Sequence, residues 1–172
     1  MIDKQTKLYF AYGSNMNLEQ MASRCPDARV LGNVRLEGYR LAFRMNGGHR
    51  GVATVLPEEG CHVDGVLWEI SPQDEKNLDF YEGFPRLYSK EPVKVTDREG
   101  NTFTVMAYTM NSPYKDVPAL PSKSYLEGIL NGCRQNGIET ASILEAVWLT
   151  QRDTHHKVIP RKKPRQKNGE ER

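Results

Sequence analysis

The sequence predicts an α+β domain built on a mixed sheet or a small β-barrel. Three observations predict it. About seven short segments are apolar and aromatic, or alternate apolar with polar residues, as strands do. A few segments of helical pattern interrupt them without a regular strand–helix alternation, which argues against a parallel βαβ sheet. No internal repeat is present, and 172 residues suit one domain whose core needs no staples.

The elements follow in order. Residues 8–12, LYFAY, read as a buried strand. Gly13 breaks it, and Asn15 or Asn17 can cap a short helix through about Arg24. ARVLGNVRLEGYRLAFRM then forms two strands or one long bent strand, with glycines at the bends. VATVLP and HVDGVLWEI read as two more strands around an EEGC turn. In SPQDEKNLDFYEG the period becomes helical, with Ser71 as N-cap, Pro72 in the first turn, Asp74 three residues after the cap and Gly83 as the stop. SKEPVKVTDREGNTFTVMAYTM is a hairpin turning at 97–101. Two helices, about 122–135 and 139–149, are separated by the stop signal NGI.

Charge separates body from tail. From residue 155 on, seven Lys or Arg stand against two Glu, while the first 154 residues hold seventeen basic and twenty acidic side chains. Residues 1–154 are expected to form the domain and 155–172 a basic, disordered tail. The formal net charge of +2 announces neither a nucleic-acid nor a membrane partner. Cys25, Cys61 and Cys133 are far apart and odd in number, which suits reduced thiols in the cytoplasm rather than a zinc site or a redox pair. No apolar run reaches the ~20 residues of a spanning helix, and MIDKQTKLYF lacks the features of a signal peptide.

Two places carry candidate chemistry. The first is the turn YGSN, residues 12–15. A strand that passes through glycine into a helix start aims several backbone N–H groups at one spot, and Gly13 admits a ligand close to the backbone. Ser14 and Asn15 add polar groups and Tyr12 a wall, which suits a carboxylate or a phosphate; a plain connecting turn is the competing reading. The glycine repeat and lysine of a P-loop are missing. The second is Glu82, four residues after Leu78 and so leaning toward the helix's apolar face, with Tyr81, Phe84 and Tyr88 near it in sequence. A carboxylate in apolar company has a raised pKa and suits proton transfer. The competing reading is a surface Glu at a helix end, although the helix dipole disfavours a negative charge there. Glu75 and Asp79 fall on a more polar flank. His49, His62, His155 and His156 show no metal-ligand pattern.

The stretches Tyr9-Phe10-Ala11-Tyr12-Gly13-Ser14-Asn15, Asp79-Phe80-Tyr81-Glu82-Gly83, Tyr88 leading into Val93-Lys94-Val95, and SKSYLEGILNGCRQNGI with Tyr125 resemble the gamma-glutamylcyclotransferases over about residues 7–150. The resemblance implies a small mixed β-barrel with helices packed outside. It implies a cyclisation in which the α-amine of a gamma-glutamyl group attacks its own side-chain amide, giving 5-oxoproline and a free amino acid or amine, in the cytoplasm and in glutathione metabolism. Glu82 would be the catalytic acid–base group. Tyr9, Phe10, Ala11, Tyr12, Gly13, Ser14, Asn15, Tyr88 and Tyr125 would bind substrate, with no metal or cofactor, no membrane partner, and nucleic acid disfavoured; a homodimer stays open. Relatives that act on gamma-glutamyl amines, and the glutathione-specific branch, carry Leu after the Tyr-Gly-Ser/Thr turn, so Asn15 favours the first-named group. The alternatives are a same-fold enzyme for gamma-glutamyl amines or a specialised metabolite, and a small-acid binding module without turnover. Tyr88 follows Glu82 by six residues, in a loop whose length varies in the family, which leaves the leaving-group pocket open.

Overall fold

The computed structural model describes the backbone of residues 5–169 and the side chains through residue 155. Five strands close a barrel in the order β1 (Lys7–Ala11), β3 (Gly51–Ile70), β2 (Arg29–Met45), β4 (Tyr88–Thr96), β5 (Thr102–Met110), and β5 returns to β1. All neighbours pair antiparallel except β1 and β5, which meet in parallel at Tyr9 and Met106. The barrel is therefore mixed, and the helices α1 (Leu18–Arg24), α2 (Pro72–Glu82), α3 (Lys123–Asn136) and α4 (Ala141–Gly169) complete the α+β architecture.

The strand count is five rather than seven. The stretches expected as separate strands on either side of EEGC both pair with β2, from Gly51 opposite Met45 to Glu69 opposite Arg29. Between the pairs Tyr39–Pro57 and Glu37–His62, residues 58–61 bulge out opposite Gly38 alone. Gly60 (φ 87°) and Gly38 (φ 82°) adopt the backbone this needs, one that side chains with a Cβ resist. A second register shift falls at 30–32, where Gly32 has φ 146°. The apparent turn is thus a bulge inside one long, strongly bent hairpin, and the bend lets few strands close a barrel.

The local signals elsewhere are realised directly. Asn17 caps α1, its Oδ1 accepting from the N–H groups of Glu19 and Gln20. Ser71 and Asp74 form the reciprocal capping box of α2, and Gly83 ends it in the left-handed conformation. The β4–β5 hairpin turns where Asp97 Oδ1 accepts from the N–H groups of Glu99 and Asn101. Ser122 caps α3 and Gly137 terminates it. The last helix outruns its expected end at Leu149. The hydroxyls of Thr150 and Thr154 donate to the carbonyls four residues back, at 2.8 Å each, and the helical backbone runs on to Gly169. Beyond His155 the expected basic tail lies outside the described side chains, and residues 170–172 lie outside the described backbone.

Two contacts fix the frame around the turn that follows β1. Helix α3 meets it through Gly132, where a Cβ would fall 2.8–2.9 Å from the backbone of Met16 and Asn17. Asn136 Nδ2 donates to Met16 O, and Asn17 Nδ2 to Gly128 O. The start of β3 is clamped from the other side: a Cβ on Gly51 would lie 2.0 Å from Ala119 O, and Gly51 N–H donates to Leu120 O. The 12–17 turn and the first residues of β3 face each other across a cavity.

Candidate active site

The cavity has a volume of about 290 Å³, at the small end for a ligand site. Tyr9 and the turn residues Tyr12, Gly13, Ser14 and Asn15 form one wall; Tyr81 and Glu82 close it from the end of α2, and Tyr88, Tyr108 and Tyr125 from β4, β5 and α3. Asn46 and residues 50–53 form the side toward the start of β3. Two expected binding residues are not on this wall. Phe10 is fully buried in the core, its ring beside Gly65, and Ala11 is buried with its carbonyl against the same glycine. The side chains of adjacent strand residues alternate, so Tyr9 at the cavity leaves Phe10 to the opposite face. Phe84 also lies off the cavity and stacks instead under the Lys90 ammonium, 4.5 Å from the ring centroid.

Glu82 sits among phenol rings at the C-terminal end of α2. Burial pushes its carboxyl up to about 7, against the pull of the Arg24 guanidinium, which lowers it. Its Oε2 accepts from Asn15 Nδ2 at 3.3 Å, and the same nitrogen donates to Tyr9 OH at 2.9 Å. Burial, reinforced by the Glu82 charge, lifts the phenols of Tyr9, Tyr12, Tyr88 and Tyr125 above the ordinary tyrosine range. They stay protonated, and two of them donate. Tyr12 OH donates to Tyr108 O at 2.6 Å, and Tyr88 OH donates to Ala53 O. Tyr125 OH accepts from Ala53 N–H at 3.0 Å, which leaves its own proton to donate. The polar flank of α2 is as expected: Glu75 pairs with Lys7 and Lys90, and Asp79 pairs with Lys90 and accepts from Tyr108 OH.

No cysteine lines the cavity. All three are free, and burial pushes the Cys25 thiol up to about 12 and Cys133 up to about 11. Among the described residues no group of three or more His, Cys, Asp or Glu is placed to hold a metal ion. Nor, among them, is any helix long and apolar enough to cross a membrane.

The raised carboxyl has a consequence for stability. In the unfolded chain Glu82 titrates near its ordinary 4.5, and in the folded protein near 7. Below both values the group is protonated in either state and costs nothing. As the pH rises between them, the unfolded state releases a proton that the folded state retains, so stability falls, by about 3 kcal/mol once the pH passes 7. Glu82→Gln, which stays neutral, is expected to be more stable than the parent by about that amount at pH 8 and indistinguishable from it near pH 4. Urea unfolding at the two pH values measures this; equal differences at both would show that the carboxyl is not held in this way.

A model of the family described as "Gamma-glutamyl cyclotransferase, AIG2-like" matches residues 9–127, from within β1 through the cavity residues to the start of α3. The chain belongs to this family. It is 34% identical over 143 residues to the gamma-glutamylcyclotransferase of Homo sapiens, covering 79% of this chain and 74% of that one. Against the Mus musculus gamma-glutamylcyclotransferase it is 35% identical over 141 residues, covering 78% and 73%. A solved structure titled "Gamma-glutamyl cyclotransferase" superposes with a TM-score of 0.71 at 31% identity, covering 85% of this chain and 86% of that one. The family resemblance and the small mixed barrel expected from the sequence are both borne out. Sequence reasoning missed Arg24, Tyr108 and Arg50. Arg24 lies in the last turn of α1, where a basic residue ordinarily reads as a partner of the helix dipole. Tyr108, in the alternating run of β5, reads as core.

Proposed function

We propose that this protein is a gamma-glutamylcyclotransferase with Glu82 as the proton-transfer group and the 12–15 turn as the seat of the substrate α-carboxylate. The observation that carries this is the placement of the Glu82 carboxyl, its affinity for a proton raised by burial, in the same small cavity as that turn. The first amides of the 3-10 turn Ser14–Met16 have no acceptor within it and suit an anionic oxygen. The substrate carries its own nucleophile, so proximity is built into it and the protein's work is folding the chain back and moving protons. The α-nitrogen attacks the side-chain amide carbon, forming the ring bond, and the bond to the leaving nitrogen breaks. The α-ammonium ends as a lactam N–H and so gives up two protons. The leaving nitrogen takes up both, and Glu82 carries them one at a time, returning to its starting state. The O–H of Tyr125 is available to the amide oxygen as it gains charge.

Arg50 bears on the leaving group. It lines the cavity beside the start of β3 and makes no salt bridge among the described residues. A guanidinium there favours a leaving group with its own carboxylate, an amino acid rather than a simple amine. Release of 5-oxoproline from gamma-glutamyl amino acids, gamma-glutamyl amines and glutathione tests the reading, and release from none of them would overturn it. Arg50→Gln is expected to raise KM for gamma-glutamyl alanine by about tenfold and to leave gamma-glutamyl ethylamine nearly unaffected. Equal effects on the two substrates would remove Arg50 from leaving-group recognition.

A further inference from the structure

Asn15 was expected at the substrate, yet its side chain is already engaged on both sides. Arg24 Nη1 donates to Asn15 Oδ1 at 2.6 Å, and Asn15 Nδ2 then has only one way to face, toward Tyr9 OH and Glu82 Oε2. The backbone carbonyl of Asn15 is held separately by Trp68 Nε1 at 3.1 Å, and the residue is 3% exposed. Arg24 is itself over-determined. Its guanidinium lies 3.7 Å from the centroid of the Tyr81 ring, Nη2 donates to Gln20 Oε1 at 2.9 Å, and Nη1 also reaches Ser14 Oγ at 3.3 Å. No carboxylate among the described residues forms a salt bridge with it. A fixed cation without an acidic partner is thus joined to the Glu82 carboxylate by one amide.

We propose that Arg24 is a positioning residue for the Glu82 carboxylate, acting through the side-chain amide of Asn15. An asparagine amide can present either its oxygen or its nitrogen to a carboxylate, and presenting the oxygen would repel it. A guanidinium donating to the oxygen selects the other orientation, so the nitrogen faces the carboxylate and holds one of its oxygens. The second oxygen is then left toward the cavity for the substrate ammonium. The charge of Arg24 works in the same direction, favouring the ionised form that a base requires. The other titratable groups around Glu82 are phenols: Tyr81 beside it in the cavity, and Tyr9, Tyr12, Tyr88, Tyr108 and Tyr125, whose ionisation the Glu82 charge opposes and which are neutral at working pH. Arg50 shares the cavity but sits on the side toward the start of β3. Arg24 is the cation that touches Glu82's own hydrogen-bond partner.

The role assigned to Arg24 rests on Glu82 being the base, but its test does not need turnover. The carboxyl carbon of Glu82, labelled with carbon-13 and assigned by its loss in Glu82→Gln, is titrated in the full-length protein. In the parent its midpoint is expected near 7. Arg24→Met, which keeps the apolar stem and removes charge and donors, is expected to raise the midpoint by about one pH unit. Arg24→Lys, which keeps the charge and loses the fork, is expected to fall between the two. The acid limb of kcat/KM should move with the midpoint, with a loss of about fivefold at pH 7 and recovery toward the parent rate near pH 9.5. Asn15→Ala should raise the midpoint with Arg24 intact, and the double change should be less than additive. If Arg24→Met does not fold, Asn15→Ala carries the test alone. A midpoint that stays within about 0.2 unit of the parent in the folded variant, with activity lost equally at every pH, overturns the proposal and leaves Arg24 a purely structural residue. A parent whose Glu82 titrates as described but which cyclises no gamma-glutamyl compound would overturn the enzymatic reading and leave the Arg24–Asn15–Glu82 linkage standing.

Discussion

Glu82→Gln is expected to lower kcat by about 10²–10⁴-fold, the usual contribution of a general acid–base group, while KM stays within a few-fold of the parent value. The substitution keeps the size of the side chain and an oxygen that can still accept from Asn15 Nδ2. It removes only the ability to take up a proton. The α-carboxylate of the substrate is assigned to the 12–15 turn, on a different wall, so ground-state binding should survive. Calorimetry with a gamma-glutamyl compound that cannot cyclise measures that survival directly. The kinetic loss and the stability gain expected at pH 8 come from the same carboxyl, since a group held away from water in readiness for proton transfer costs the folded state free energy. A variant that cyclises gamma-glutamyl substrates within a factor of a few of the parent would remove Glu82 from the mechanism. A variant that loses both activity and stability would point to a structural defect.

Much of this fold is legible locally. The capping box at Ser71 and Asp74, the Asn17 cap, the glycine stops at 83 and 137 and the Asp97 turn are all realised where the residues sit. Each is set by hydrogen bonds within a few residues, which is the range that sequence pattern reports. The strand count failed at EEGC because turn-forming residues look alike whether the chain reverses or bulges. The difference is decided by a partner strand, β2, whose long stretch pairs with both halves. Barrel closure through one parallel contact between β1 and β5 is likewise long-range. Leu149 ends the apolar pattern but not the helical backbone, which continues to Gly169 while the hydroxyls of Thr150 and Thr154 fold back onto carbonyls four residues earlier.

The site shows the same division. Glu82 was legible because one helical turn relates it to Leu78, and the turn at 12–15 because glycine after a strand is a strong local signal. That Phe10 points away follows from strand alternation; Ala11, on the same side of the strand as Tyr9, is instead taken out of the cavity by the close approach of its carbonyl to Gly65, and a resemblance carried by a whole seven-residue motif separates neither. Arg24 was not legible. It is nine residues from Asn15 and separated from Glu82 by a strand hairpin, and only the packing of α1 against the end of α2 brings its guanidinium over Tyr81. The apolar company of Glu82 was also partly misplaced. Phe84 lies outside the cavity, and its role is filled by tyrosines from β1, β4, β5 and α3 that no local pattern connects.

Acetylating the α-amine of a gamma-glutamyl amino acid is expected to abolish its turnover. The free amine attacks through a lone pair on nitrogen, whereas in an amide that pair is delocalised into the carbonyl and the nitrogen is a poor nucleophile. Proximity cannot compensate, because proximity supplies encounter and orientation rather than electrons. The acetyl group also adds bulk to a cavity of about 290 Å³, so loss of turnover alone would leave room for a steric explanation. The unmodified substrate separates the two. In cyclisation no water enters the product, so 5-oxoproline formed in oxygen-18 water should carry no label in its ring carbonyl. Hydrolysis at the same carbon would give glutamate with one labelled oxygen. Both routes would use Glu82 as a base, one against an ammonium and the other against a water molecule, and the cavity's geometry serves either until the nucleophile is known. Unlabelled 5-oxoproline together with an inert N-acetyl substrate is the expected pair of results. Labelled glutamate, or release of the amino acid from the N-acetylated compound at near the parent rate, would make this protein an amide hydrolase on a cyclotransferase fold.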